Sequence, residues 1–186
     1  MENIINVTYE TTGQATAVND MGMRPMQARA YAARNSQYIL LKAPPASGKS
    51  RALMFIALDK LKTGTVKKVI VAVPERSIGK SFFSTELVKY GFHSDWQVSG
   101  KFNLCVPGGE NSKVETFMEF MDSEETVLLC THATLRFAFD KIGAAKFGNC
   151  LVAVDEFHHV SADYESKLGE LVRALMQQEN VHILAM

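Results

Sequence analysis

No stretch of this sequence approaches the roughly 20 successive apolar residues that a membrane-crossing helix requires. The opening residues MENIINVTYE also lack the basic-then-apolar layout of a secretory leader. Together these absences predict a cytoplasmic protein with no membrane partner. Cysteine is scarce and odd in number: Cys105, Cys130 and Cys150 are the full set, and two of them sit in the apolar runs VLLC and CLVAV. That usage predicts buried free thiols in a reducing compartment rather than a disulfide or thiolate-metal framework. Zinc-type spacing is missing too. There is no HExxH, the adjacent His158 and His159 cannot share a helical face as an i, i+4 pair does, and His93, His132 and His182 have no ligand spacing. Internal repeats and low-complexity tracts are absent. With 47% hydrophobic and 22% charged residues in 186, disordered and fibrous classes are excluded and one domain with a full core is expected.

Net charge is absent as well, with 20 basic and 20 acidic side chains, but the zero hides an uneven distribution. Residues 24–101 hold 14 Lys and Arg against 4 Asp and Glu, whereas residues 102–186 hold 6 against 13. A basic middle of this kind suits a polyanion-facing surface. Solvated lysines on exposed helix faces would give the same count, so the fold must decide.

What the chain does contain is a short apolar run followed by an amphipathic stretch, several times over. Strands are predicted at residues 38–42, 69–73, 127–131, 151–155 and 182–186, all rich in Val, Ile and Leu without clean alternation, as for strands covered on both faces. Helices are predicted at 50–61, 78–90, 114–121, 133–141 and 164–178, with an earlier one over 23–34 that carries Pro25 in its first turn. Residues 96–105 read as a further strand or hairpin. Alternation of this sort implies an α/β fold around a parallel sheet with right-handed crossovers. Residues 1–22 have little periodicity and read as a loosely attached N-terminal arm before a domain spanning 23–186.

APPASGKS, residues 43–50, lies between an apolar strand and an amphipathic helix. Small residues leading into a helix can aim several backbone N–H groups at one anion, and the helix N-terminus adds partial positive charge. Ala46, Ser47 and Gly48 let the backbone curl around a phosphate, Lys49 can reach the β and γ phosphates, and the Ser50 hydroxyl can take one position on Mg²⁺. Pro44 and Pro45 stand upstream, where no N–H is needed. By chance a bare GK followed by Ser or Thr arises on the order of once in ten chains of this length, so the flanking strand and helix carry the reading. Ala43 departs from the first glycine of GxxxxGK(S/T).

LVAVDEFHHV, residues 151–160, ends a predicted strand in two carboxylates. Adjacent strand side chains point apart, so Asp155 can serve a Mg²⁺ shell while Glu156 orients and deprotonates a water. A DE pair can equally be a solvated strand terminus; the phosphate loop is what favours the first reading.

With ASGKS and DEFH about a hundred residues apart on strand ends, the chain resembles the first RecA-like domain of superfamily 2 helicases of the DExH type, nearest the group that includes type III restriction enzymes. APPASGKS resembles motif I, in which Ala often begins the loop, and Asp155, Glu156, Phe157 and His158 resemble motif II. RPMQ (24–27) resembles the upstream glutamine motif, VAVPERS (71–77) motif Ia, and THATL (131–135) the motif Ib neighbourhood; VPGG (106–109) sits where many members carry a glycine pair.

The resemblance implies a three-layer P-loop NTPase domain with a mostly parallel central sheet that uses ATP and Mg²⁺. By it, Gln27, Pro45, Ala46, Ser47, Gly48, Lys49, Ser50 and Arg51 bind nucleotide, with Gln27 on the adenine edge. Ser50 and Asp155 hold the metal, Lys49, Asp155 and Glu156 are catalytic, and His158 couples nucleotide state to motif III. Pro74, Glu75, Arg76, Thr131 and His132 face a nucleic-acid backbone, DNA in preference to RNA. The family's Ser/Thr-Ala-Thr motif III and second RecA-like domain are not in this sequence, so a fragment of a larger motor is expected. Two rival classes use the same loop. A kinase-like phosphotransferase would need an acceptor pocket and an Arg-rich lid, and no Arg cluster follows Arg76. A non-catalytic nucleotide-binding adaptor sits poorly with intact Lys49, Ser50, Asp155 and Glu156.

Overall fold

The computed structural model describes residues 18–107, 110–157 and 167–186. Five strands, β1 (Tyr38–Leu40), β2 (Lys68–Val73), β3 (Val127–Thr131), β4 (Cys150–Val154) and β5 (His182–Ala185), form one sheet in the order β1-β5-β4-β2-β3. Every neighbouring pair is parallel. The helices are α1 (Pro25–Ala32), α2 (Lys49–Lys62), α3 (Glu110–Asp122), α4 (His132–Ile142) and α5 (Lys167–Met176).

Strand periodicity divides the core in two. Val69, Val71, Val73, Leu129, Leu151, Ala153 and Leu184 pack with Leu53, Phe55 and Ile56 of α2 and Ala30 of α1. Their sequence neighbours Ile70, Ala72, Leu128, Cys130, Val152, Val154 and Ile183 turn to the opposite face, against Phe117 and Phe120 of α3, Leu135 and Ala138 of α4 and Leu171 and Leu175 of α5. Successive strand side chains point to opposite faces, so two apolar faces demand two helical layers. The expected three-layer α/β sandwich is therefore the one observed. All three cysteines are buried free thiols. Among the described residues no helix is long and apolar enough to cross a membrane.

The helix expected over 78–90 does not form. In its place are two 3₁₀ turns, Ile78–Phe82 and Val88–Tyr90, separated by an antiparallel bridge between Thr85 and Trp96. Asp95 decides this locally: its Oδ1 accepts from the backbone N–H of both Leu87 and Val88, at 2.7 and 2.9 Å. The indole N–H of Trp96 donates to the Phe82 carbonyl at 2.8 Å, and Phe82, Leu87 and Trp96 are fully buried. Burying three large side chains around a turn outweighs the weak intrinsic preference of this stretch for helix. Residues 96–105 likewise supply no full strand, only that bridge, a second one from Asn103 to Leu129, and a 3₁₀ turn at Gly100–Phe102. The helix expected from 114 begins four residues earlier, at Glu110. Asp20 to Gly22, at the end of the expected arm, lie against Tyr90 and Gly91. A Cβ on Gly22 would come within 2.5 Å of Tyr90 Cβ, and one on Gly91 within 2.0 Å of the Asp20 carbonyl oxygen.

Candidate nucleotide-binding site

Register brings the candidate residues to one edge of the sheet. Leu40 pairs with Ala185, Ala185 with Val154, Val154 with Ala72, and Ala72 with Cys130. All five carboxyl ends are thus level, and the loop at 41–48, Pro74, Thr131, Asp155 and Met186 emerge side by side. Only β5 separates the loop-bearing β1 from the acid-bearing β4, and ligands of open parallel sheets bind beyond such carboxyl ends.

The loop has the backbone its small residues permit. Ala46 and Gly48 are left-handed, with φ of 58° and 92°. Gly48 immediately precedes α2, and its carbonyl accepts from Ala52 N–H at 3.1 Å, starting the helix. A Cβ there would come within 2.5 Å of Gln27 Nε2. That contact is a built one: Gln27 is buried, its Nε2 donates to the Gly48 carbonyl at 3.2 Å, and its Oε1 accepts from Arg24 N–H at 2.8 Å. The glutamine expected at the adenine edge therefore also props the phosphate loop. Lys49 Nζ donates to the Ala43 carbonyl at 3.0 Å, which folds the side chain back across the loop. Ser47 Oγ is buried with no hydrogen-bond partner among the described residues. A buried hydroxyl left unsatisfied is costly, and one in a phosphate-type loop is suited to a ligand oxygen. Ser50 stands at the second position of α2, and Arg51 lies over the ring of Tyr90, 5.5 Å from its centroid.

Across the cleft Asp155 is buried, and Glu156 adopts a left-handed φ of 52°. Three backbone N–H groups are held in this turn: Asp155 N–H by the Ala72 carbonyl at 2.9 Å, Glu156 N–H by the Asp155 side-chain Oδ1 at 2.9 Å, and Phe157 N–H by the Met186 carbonyl at 2.7 Å. A cavity of about 530 Å³ lies here, lined by Leu40, Leu41, Lys42, Ala43, Lys49, Phe157 and Met186. Lys49 and the residue directly after Glu156 thus face one space. His158 lies outside the described residues, as do Gly108 and Gly109.

The residues expected to face nucleic acid are brought near but not all outward. Pro74, Glu75 and Arg76 form the turn after β2, where the Glu75 and Arg76 carbonyls accept from Ile78 and Gly79 N–H, both at 3.2 Å. Thr131 is buried and caps α4, its Oγ1 accepting from Thr134 N–H at 3.2 Å. His132 Nε2 lies 3.0 Å from the Asp155 carbonyl oxygen. Sequence reasoning missed that contact, and it missed Phe157 and Met186 as cavity walls. The only signal for either was the apolar residue inside DEFH.

A donor set of one hydroxyl and one carboxylate, Ser50 and Asp155, suits Mg²⁺, which binds hard oxygens through one or two carboxylates plus phosphates rather than a protein cage. Among the described residues no group of three or more His, Cys, Asp or Glu could hold a metal ion.

Known proteins resemble the chain in sequence and in fold. The chain is 61% identical over its whole length to the "Putative ATP-dependent helicase YeeB" of Bacillus subtilis (strain 168), and spans 31% of that relative. Its fold is similar to that of the Pyrococcus furiosus Hef helicase domain, with a TM-score of 0.57 and 16% identity over 86% of this chain and 31% of that one. It is similar also to the UvsW helicase from bacteriophage T4, with a TM-score of 0.53 and 19% identity over 88% of this chain and 53% of that one. A family model for the DEAD/DEAH box helicase matches residues 24–186, from the arginine that opens the Gln27 turn to the methionine that closes the cleft, and the chain therefore belongs to the DEAD/DEAH box helicase family.

Proposed function

We propose that this chain is the ATP-binding lobe of a nucleic-acid-dependent ATPase that couples Mg-ATP hydrolysis to movement along a nucleic acid. The observation that carries the reading is the shared cleft: Lys49, held over the loop by Ala43, and Phe157, the residue directly after the Asp155–Glu156 pair, line one cavity at level strand ends. The N–H groups at the start of α2 and the Lys49 ammonium bind the phosphates, the lysine exchanging its Ala43 carbonyl for a phosphate oxygen. Ser47 Oγ, already desolvated, gains a partner when they arrive. Mg²⁺ held by Ser50 and Asp155 would neutralise charge on the phosphate oxygens. Glu156 takes the proton of the attacking water and orients it. Gln27 sets the loop and reads the adenine edge.

The track is drawn along the side of the cleft formed by the turn at 74–76 and the start of α4, by contacts that are mostly sequence-independent and weaken with salt. The resemblance to the group that includes type III restriction enzymes favours DNA, and the three buried thiols favour a reducing, cytoplasmic setting. By the resemblance to superfamily 2 helicases, a second RecA-like lobe completes the motor; this chain spans 31% of its YeeB relative. The test is binding of a fluorescent ATP analogue to the wild-type chain and to Lys49→Ala. Loss of a charge-assisted contact should weaken binding about tenfold to a hundredfold, and unchanged affinity would remove Lys49 from the phosphate site. In the full-length protein, Glu156→Gln should bind nucleotide and fail to turn it over.

A further inference from the structure

His132 opens α4, in the stretch whose resemblance assigns it to a nucleic-acid backbone, yet its ring is engaged with the acidic turn. Nε2 lies 3.0 Å from the backbone carbonyl oxygen of Asp155. A carbonyl only accepts, so Nε2 carries a proton and donates, which both the neutral Nε2–H tautomer and the imidazolium can do. The peptide unit gripped in this way joins Asp155 to Glu156. Glu156 is the non-glycine residue at φ 52°, a conformation that costs energy and persists only where neighbours hold it.

Several of those neighbours can be named, beginning with Asp155 Oδ1, which takes Glu156 N–H. Ala72 at the end of β2 takes Asp155 N–H, and Met186 after β5 takes Phe157 N–H. Both are backbone contacts that belong to the sheet and move with it. His132 supplies a side-chain hold on the same turn from outside the sheet. Its helix start is itself stiff, since Thr131 Oγ1 caps Thr134 N–H and Thr134 is fully buried. This hydrogen bond therefore links a shift of the α4 N-terminus to the Asp155–Glu156 peptide.

We infer that His132 is a positioning residue for hydrolysis: it orients the Glu156 carboxylate through the Asp155 carbonyl, and stimulation of ATP turnover by nucleic acid passes through that bond. The inference rests on the ATPase function proposed above. It differs from a phosphate-contact role for His132 in what it does to rate at saturation. The test is steady-state ATP hydrolysis by the full-length protein with a titrated single-stranded DNA oligonucleotide. His132→Ala should lower kcat at saturating oligonucleotide by about tenfold, the equivalent of one lost hydrogen bond, with KM for ATP and the apparent Kd for the oligonucleotide within about twofold of wild type. His132→Gln, whose amide nitrogen can stand where Nε2 stands, should recover most of that loss. His132→Asn, too short to reach, should not, and this pair carries the comparison if the alanine variant fails to fold.

A His132→Ala rate that returns to wild type once oligonucleotide saturates would overturn the inference in favour of a phosphate contact. So would unchanged kcat, or equal loss in Gln and Asn. Wild-type protein that does not hydrolyse ATP would instead overturn the ATPase reading and this inference with it, so the two failures are told apart by the wild-type control.

Discussion

Gln27 Nε2 donates to the carbonyl of Gly48, 3.2 Å away and 21 residues on in sequence. One buried amide therefore ties the first helix to the residue that immediately precedes α2, and the conformation of the loop at 43–50 depends on a side chain outside it. Glycine is needed at 48 for two reasons, its φ of 92° and the Gln27 amide that fills the place of a Cβ. Gly48→Ala should lower stability by about 1–2 kcal/mol from the left-handed backbone alone. It should weaken binding of a fluorescent ATP analogue by more than Gln27→Ala does. Denaturant midpoints and binding titrations on the same samples check both, and a fully stable, fully binding Gly48→Ala would show that the loop is not held as described.

Hydrolysis by this lobe alone should be slow. Arginine fingers supplied by a facing lobe or partner are worth about 10³ to 10⁵ in rate in related phosphoryl-transfer proteins. The expected result is normal nucleotide binding with turnover at least about 10³-fold below that of the full-length protein. Equal turnover numbers, measured by phosphate release, would place the whole hydrolytic site within residues 24–186.

At the opposite edge of the sheet, Lys68 Nζ donates to three backbone carbonyls, those of Phe120, Ser123 and Glu125, at 2.9, 2.7 and 3.0 Å. It ties β2 to the end of α3, where helix carbonyls lack partners of their own. Desolvation by burial pulls its pKa down from the ordinary lysine value, with neighbouring negative groups opposing. Lys68→Met keeps the stem and removes the donor, and should cost about 1.5–3 kcal/mol, the range for hydrogen bonds made by charged groups. Urea denaturation measures this directly; a change below a few tenths would mean that solvent replaces the lysine at no cost.

His182 gives the fold an acid-side sensitivity. Its Nδ1 lies 3.0 Å from Lys60 Nζ, which also donates to the Ser36 carbonyl at 3.0 Å. An ammonium only donates, so Nδ1 is the acceptor and the ring is neutral. Burial, then the Lys60 charge, lowers the His182 pKa below the ordinary 6.5, with a hydrogen bond to the Ser36 backbone carbonyl opposing. The unfolded chain therefore takes up a proton near pH 6.5 that the folded chain still refuses. This stabilisation is fully present above pH 6.5 and is lost as the pH falls through the depressed folded value. Thermal unfolding should show Tm declining below pH 6.5, and His182→Gln should flatten that decline. An unchanged slope in the variant would assign it to other groups.

Much of this was legible in the chain itself. Continuous Val, Ile and Leu runs at 69–73, 127–131 and 151–155 had no polar face to expose, so they had to be strands covered by helices on both faces. Ala46, Ser47 and Gly48 before Lys49 permitted only a tight loop at a helix start. These are local facts: apolar periodicity and backbone freedom are properties of neighbouring residues, readable without coordinates. The failures were of another kind. Residues 78–90 have helical composition, but Asp95 and Trp96, downstream, claim their N–H and carbonyl groups and bury Phe82 and Leu87. Strand order, the amide of Gln27 under Gly48 and the hold of His132 on Asp155 likewise join residues at least 21 positions apart. Such pairings are settled by which distant groups can satisfy a buried donor or acceptor once the sheet has assembled, and only the tertiary structure could decide them.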